Sequence, residues 1–318
     1  MEERLHIVLG AGQIGPRVAQ RLLAAGHRVR IVRQSPREDF THPSLTWVHG
    51  DLRDEDFAAR ALERAAVVYD CMNPRYDRWS TELLPIAGGA LYGAERAGAK
   101  LVALDCLYMY GRVDGPMRED TPMRPCSVKG ELRKSLAELR LGADVDVAIG
   151  RASDFIGPGL DQAVFAERMF ERILAGRTAE CTGDPSMPHA YTYVDDVARG
   201  LVDLGTSDAT GVWHLPTNAA RPTEVWVAEL GAALGIEART KRVPGYVLRG
   251  VGLFMPVLRE LAEMAYQWEM PFEVDDGAFV ARFGWGATPN ASIVEATAAW
   301  ARERFGVKAP AIAAPRPL

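Results

Sequence analysis

The chain has 318 residues, 48 % hydrophobic and 25 % charged, an ordinary balance for a folded chain long enough to bury a sizeable core. Its net charge is −5 and its basic residues are scattered, which argues against nucleic acid or an anionic membrane as a partner. The four cysteines, Cys71, Cys106, Cys126 and Cys181, have no metal-ligand spacing, so no metal is expected and a reducing, cytoplasmic setting is. The apolar pattern starts at Leu5, leaving no room for a signal peptide before it, and no apolar run is long enough to cross a bilayer.

RLHIVL opens the chain as a short apolar run ending in a glycine-rich turn. PRVAQRLLAAGH follows with helical spacing, Val18, Leu22 and Leu23 on one side and Gly26 as the stop. RVRIVR alternates as a strand, which completes a β-α-β unit. The alternation then repeats: LTWVHGD, AVVYDC, KLVALDC and VDVAIGR read as strands, with helices over 54–65, 79–98 and 127–142 between them. Strands alternating with helices predict an α/β fold with a parallel sheet covered on both faces. After Arg151 the pattern loosens, and from Pro222 onward it is mostly helical, punctuated by Pro244, Pro256, Pro271 and Pro289 before a weakly constrained tail. The expected plan is a nucleotide-binding domain over 1–178, rejoined by segments near 189–218, and a smaller lobe over 179–318 built largely from 219–318.

Gly10, Gly12 and Gly15 form GxGxxG between the first strand and the first helix. One glycine permits the tight turn, the second lets backbone approach a pyrophosphate, and the third allows close helix-strand packing. Gln13 and Ile14 lie at the helix start, where free N–H groups meet the phosphate. Arg33 ends the second strand, where an NAD-binding unit usually has an acid for the ribose 2′-OH. A guanidinium there grips a 2′-phosphate, and Arg37 can join it, so NADP(H) is favoured over NAD(H). Asp51 and Leu52 follow the third strand, suited to the adenine amine and ring, and Cys71 ends the fourth strand beside them.

With these residues in place, the sequence resembles the short-chain dehydrogenase/reductase superfamily, in its extended branch of NAD-dependent epimerases and dehydratases. GAGQIG, GDL, LDCLYMYG, RASDFIGPG, YTYVDDVARG and FGWGATP carry the resemblance in order across nearly the whole chain. It implies a Rossmann-type doubly wound sheet of about seven strands and a mostly helical C-terminal substrate lobe. It also implies a homodimer through the helices near 79–97 and 128–142. The usual catalytic Ser, Tyr and Lys of the family fall on Cys106, Lys129 and Arg133, so the Tyr-x-x-x-Lys pair is absent. In the family the Tyr exchanges the proton as hydride moves, while the Lys lowers its pKa and holds the nicotinamide ribose.

Lys129 and Arg133 are one helical turn apart and share a face. Arg133 can hold the ribose and depress the Lys129 amine from its reference value of about 10.4. Lys129 is then a proton donor, an electrostatic clamp on an oxyanion, or simply a charged residue at a helix start capped by Ser127. Cys106 is a packing residue or a nucleophile. If 106–110 is extended, Cys106, Tyr108 and Tyr110 point to one side, making Tyr108 the best substitute hydroxyl; its alternative is an aromatic wall.

On the substrate side, Asp154 falls where the resemblance places an Asn near a substrate diphosphate, and a carboxylate there is repulsive. His189, Tyr191 and Tyr193 precede a helix start in which Asp195 and Asp196 read as caps. Tyr266 and Trp268, in the apolar set 253–272, are candidates to cover a substrate. The expected function is an NADP(H)-dependent oxidoreductase of a small, non-nucleotide carbonyl or enone, with Lys129 in place of Tyr. The alternatives are a redox-neutral isomerase, epimerase or lyase with bound NAD(P), and a catalytically silent NADP(H)-binding sensor.

Overall fold

The computed structural model describes residues 4–252 and 256–307, so 253–255 of the apolar set and the C-terminal tail lie outside the described residues. The first half runs β1 (Leu5–Leu9), α1 (Gly15–Ala24), β2 (Arg28–Arg33), β3 (Leu45–His49), α2 (Glu55–Ala61), β4 (Ala65–Asp70), α3 (Trp79–Ala97), β5 (Lys100–Asp105), α4 (Val128–Leu141) and β6 (Val147–Arg151). Then come β7 (Asp154–Ile156), α5 (Glu167–Leu174), β8 (Ala179–Thr182), β9 (Pro188–His189), β10 (Tyr191–Tyr193), α6 (Val194–Thr206) and β11 (Gly211–His214). The remainder is β12 (Arg221–Pro222), α7 (Thr223–Ala233), β13 (Thr240–Val243), α8 (Gly245–Gly252), α9 (Pro256–Met264), α10 (Gly277–Phe283) and α11 (Asn290–Phe305).

Seven strands form one parallel sheet in the order β11-β6-β5-β4-β1-β2-β3, the expected Rossmann-type doubly wound arrangement. Successive strand residues alternate between two cores. Val8, Ile31, Val67 and Val102 pack with Val18 and Leu22 of α1 and Val197 and Leu201 of α6. Ile7, Leu9, Val68 and Leu101 pack on the other face with Ala58 of α2 and Ala90 and Ala94 of α3. The winding reverses between β1 and β4, and the crevice beyond the strand ends at such a reversal is where sheets of this kind hold ligands. After α6 the chain returns to the sheet, β11 pairing with β6.

Over these strand ends lies the segment from α9 to residue 276. Its clasp is backbone: Phe272 N donates to Pro188 O and Ala190 N to Phe272 O, both at 2.9 Å. A second clasp runs from Met117 N to Glu273 O at 2.9 Å and from Asp275 N back to Met117 O at 2.8 Å. Buried polar side chains reinforce it. Arg151 Nη1 donates to Tyr110 Oη at 2.6 Å, Tyr110 Oη lies 2.7 Å from His214 Nε2, and His214 Nδ1 lies 3.0 Å from Asp275 O. Burial lowers His214 to about 4, so near neutrality the ring is neutral and donates through Nδ1–H to the carbonyl. Nε2 therefore accepts from the Tyr110 hydroxyl.

Candidate active site

Gly10 takes φ +89°, which a side chain rarely adopts, and a Cβ there would sit 3.2 Å from Cys71 O. A Cβ on Gly15 would overlap Gly10 O, so helix and turn touch through backbone. At Gly12 a Cβ would meet nothing, leaving open space against the turn. Ile14 is the N-cap of α1 and offers no side-chain hydrogen bond; Pro16 has no N–H and Arg17 N and Val18 N turn back to Ile14 O, so an anion would meet the turn backbone and the positive end of the helix dipole. Cys71 N donates to Leu9 O at 3.0 Å, tying the end of β4 to β1 at the reversal. Gln13 Oε1 accepts from Asp161 N and Gln162 N at 3.0 and 3.3 Å, fastening the turn to the loop beyond β7. Arg17, which sequence reasoning passed over, bonds Asp195 Oδ1 and Pro158 O, both at 2.6 Å.

The ribose end differs from the simple picture of two free arginines. Arg33 Nη1 bonds Asp39 Oδ2 at 2.9 Å, and Arg37 Nε lies 2.6 Å from Asp39 Oδ1. One carboxylate therefore holds both cations offered to a 2′-phosphate. Asp51 is bound by Arg53, which holds its carboxyl below the usual range, and accepts from Gln34 Nε2 at 3.2 Å. Leu52 is buried at 5 % exposure.

At α4 the Ser127 hydroxyl accepts from Gly130 N at 3.0 Å, the expected cap. Lys129 and Arg133 do lie on one buried face, each with its own counter-charges. The Lys129 amine, 2 % exposed, is held by Glu260 and by Glu263 at 2.9 Å, both from α9. Glu263 also accepts from Val128 N at 3.2 Å. Arg133 bonds the fully buried Asp105 at 3.0 Å and Asn73 Oδ1 at 2.8 Å, and lies 4.1 Å above the Trp79 ring. Desolvation of these cations is offset by carboxylates and ring faces. None of the partners Glu260, Glu263, Asp105, Asn73 and Trp79 was among the sequence candidates. Only Asp105, beside Cys106, carried a local signal.

Residues 106–110 do not meet the condition of an extended stretch. Tyr108–Tyr110 is a 3-10 turn, because Tyr110 is drawn inward to Arg151 and His214 while Tyr108 stays at the cleft. Tyr108 stacks on Trp79 at 6.0 Å and packs with Tyr266 and Trp268. Tyr76, from the loop after β4, packs against the same two aromatic clusters. Burial pushes both phenols well above their usual value, so both stay protonated. Burial also pushes the Cys106 thiol up to about 12, which suits packing rather than nucleophilic attack.

His189 is 1 % exposed and lies parallel to Trp268 and Phe272 at 5.3 and 4.9 Å. Its Nε2 is 2.8 Å from Asp154 Oδ2 and its Nδ1 3.1 Å from Gln267 O. Asp154 keeps 19 % of its side chain exposed. Tyr191 and Tyr193 are core residues. Asp195 and Asp196 occupy the first turn of α6 without capping it; their carboxylates bond Arg17 and Thr288 instead. Tyr266 and Trp268 are buried in a short turn after α9, where the Tyr266 hydroxyl and the adjoining Gln267 amide find no partner of ordinary geometry.

The sequence matches the NAD dependent epimerase/dehydratase family over residues 6–212, well over half of the chain. The chain belongs to this family. It is a family of enzymes, and the glycine turn and the sheet from β1 to β6 fall within the matched region, β11 lying at its end, whereas the wall from α9 to residue 276 lies beyond it. Among solved structures, the epimerase/dehydratase fold recurs at low identity. UDP-glucuronic acid 4-epimerase from Bacillus cereus in complex with NAD is 16% identical, with 95% of this chain and 99% of that one covered and a TM-score of 0.75. MoeE5 in complex with UDP-glucuronic acid and NAD is 22% identical, with 94% and 99% covered and a TM-score of 0.76. The dTDP-glucose 4,6-dehydratase of Bacillus anthracis in complex with NAD is 16% identical, with 95% and 98% covered and a TM-score of 0.76. No curated protein matches the sequence.

Proposed function

We propose that this epimerase/dehydratase-family chain binds a nicotinamide dinucleotide across the β1–β4 crevice and uses it on a small, non-nucleotide hydroxy or carbonyl compound. One observation carries the reading: an open glycine turn before an uncapped helix lies at the same sheet end as a cleft with protonated phenols and carboxylates. The backbone at Gly10, Gly12, Gln13, Ile14 and Gly15 would hold the pyrophosphate, Asp51 and Leu52 the adenine, and Cys71 and Arg133 the approach to the nicotinamide. Such a group, when bound, supplies a hydride acceptor or donor.

The choice between NAD(H) and NADP(H) turns on Asp39. Arg33 and Arg37 are the chemistry of a 2′-phosphate site, which supports NADP(H). Against it stand the carboxylate already shared by both arginines and the NAD in the solved structures. We take NAD(H) as the resident form, with Asp39 as the group that opposes the phosphate.

For the reaction, the family favours redox-neutral epimerase or dehydratase chemistry, in which the cofactor ends as it began. Net reduction of a carbonyl or enone is the second reading, favoured by phenols that stay protonated and so donate rather than accept. Asp154, Glu260 and Glu263 around the cleft disfavour a diphosphate, which supports a non-nucleotide substrate over the nucleotide sugars of the solved neighbours. Fluorescence titration with NADH and NADPH tests the cofactor. A panel of small hydroxy and carbonyl compounds, enones and nucleotide sugars, followed by NMR and by cofactor absorbance, tests the rest. Conversion of a small compound without net cofactor loss is expected. Conversion confined to nucleotide sugars overturns the substrate class, and absence of cofactor binding overturns the whole reading.

A homodimer is part of the proposal, because α4 exposes Val128, Leu139 and Leu141; sedimentation equilibrium decides it. So is a cytoplasmic setting, since all four cysteines are free thiols. No helix among the described residues is long and apolar enough to cross a membrane.

A further inference from the structure

Tyr76 was in no candidate list, yet it stands where three parts of the cleft meet. It begins a short 3-10 turn after β4 and is half-buried, so it is reachable from the cleft. Its ring meets Trp79 edge-on at 5.0 Å and packs into both the Trp79–Leu83–Leu136 cluster and the Met264–Tyr266–Trp268 cluster. The Lys129 amine sits 4.4 Å from the centre of that ring. Lys129 is the residue at the position of the family tyrosine. A cation on the ring face, held there by two carboxylates, fixes the plane of the ring and so the direction of its hydroxyl.

We propose that Tyr76 is the catalytic phenol of this enzyme, supplied from the β4 loop instead of from α4, and that Lys129 is its positioning residue. The assignment rests on the nicotinamide reading given above. Of the two phenols, Tyr76 is the one whose ring carries the Lys129 cation, and burial keeps both protonated. The charged and titratable groups around this phenol are Lys129 of α4, at the ring, and Tyr108 and Cys106 of the β5–α4 loop, Asp154 of β7 and Glu263 of α9. As hydride adds to a carbonyl carbon, the Tyr76 O–H bond breaks and a new O–H bond forms on the substrate oxygen. The electron pair stays on the phenolate, which a proton from solvent then neutralises. The carbonyl is reduced and the dinucleotide oxidised; the reverse step runs the same proton backwards.

The experiment has two arms on the full chain. In the first, 3-fluorotyrosine is placed at position 76 and its fluorine resonance is titrated with pH, with no substrate present. The midpoint is expected to rise by about one unit in Lys129→Met, which loses the cation, and again in Tyr108→Phe, which removes the neighbouring hydroxyl. A midpoint unmoved by both substitutions overturns the assignment. In the second arm, Tyr76→Phe is compared with wild type on whichever compound the panel converts. A loss in kcat of about 100-fold or more is expected, with NADH affinity within about twofold. Turnover within threefold of wild type overturns the assignment. A chain that fails to bind NADH defeats the nicotinamide reading instead, and the fluorine titration then judges the placement of Tyr76 by itself.

Discussion

The turn after β1 and the first turns of α4 lie at the same end of one sheet, but they are made differently. The turn is backbone: Gly10 supplies a left-handed φ, Gly15 an absent Cβ, and the helix start the positive end of its dipole. The start of α4 is side chains, each cation answered by carboxylates or rings from distant parts of the chain. Backbone devices repeat with the same residues wherever they occur. A side-chain device can be rebuilt from other residues, and here a lysine and an arginine stand where a tyrosine and a lysine are expected.

The largest effect expected from a single substitution that breaks this contrast is at Arg133. Arg133→Leu leaves the fully buried Asp105 without its cation and should cost about 3–5 kcal/mol in urea unfolding. Acid should come next. Burial lowers His6, at the foot of β1, and His214, at the lobe clasp, from 6.5 to about 4. The unfolded chain therefore binds more protons than the fold between these values. Stability is full above about 6.5 and falls as pH drops towards 4, by about 3 kcal/mol for each histidine. Unfolding midpoints across that window check the sign, and His214→Gln should flatten the curve more than any surface substitution. Gly15→Ala pushes a methyl into Gly10 O and should cost about 2 kcal/mol or more, together with most of the NADH affinity, read by fluorescence. Asp39→Asn frees Arg33 and Arg37 and should raise the NADPH to NADH affinity ratio about tenfold, roughly 1.4 kcal/mol. Smallest is Lys129→Met: Glu260 and Glu263 are 22% and 25% exposed and can rehydrate, so stability should change by less than about 1 kcal/mol. A loss at Lys129 as large as that at Arg133 would erase the difference between the two cations.

The same contrast explains what the sequence disclosed. Strands and helices through Arg151, the glycine turn and the Ser127 cap are local patterns, and each stands where the residues place it. Lys129 and Arg133 were visible as a pair, but Glu260 and Glu263 lie 131 and 134 residues beyond Lys129, and no periodicity joins them. Tyr76 sits in a loop without pattern, so nothing local marks it. The side to which Tyr108 and Tyr110 point depended on whether 106–110 is extended, and local alternation does not settle that, because Tyr110 is placed by the distant Arg151 and His214. Asp39 was passed over because attention to a phosphate site favours cations, and the neutralising acid is the quieter signal.

The bonds from Arg151 through Tyr110 and His214 to Asp275 all point the same way: each donor faces one acceptor, and the neutral ring cannot donate at both nitrogens. They act as a ratchet tooth between the two walls of the cleft. Tyr110 is two residues past Tyr108, and Asp275 closes the segment that carries Tyr266 and Trp268. Moving the far wall away would break one of these bonds or carry the Tyr108 turn with it, on top of releasing the two backbone clasps, so the shape of the substrate side and the placing of the phenols are tied to one another.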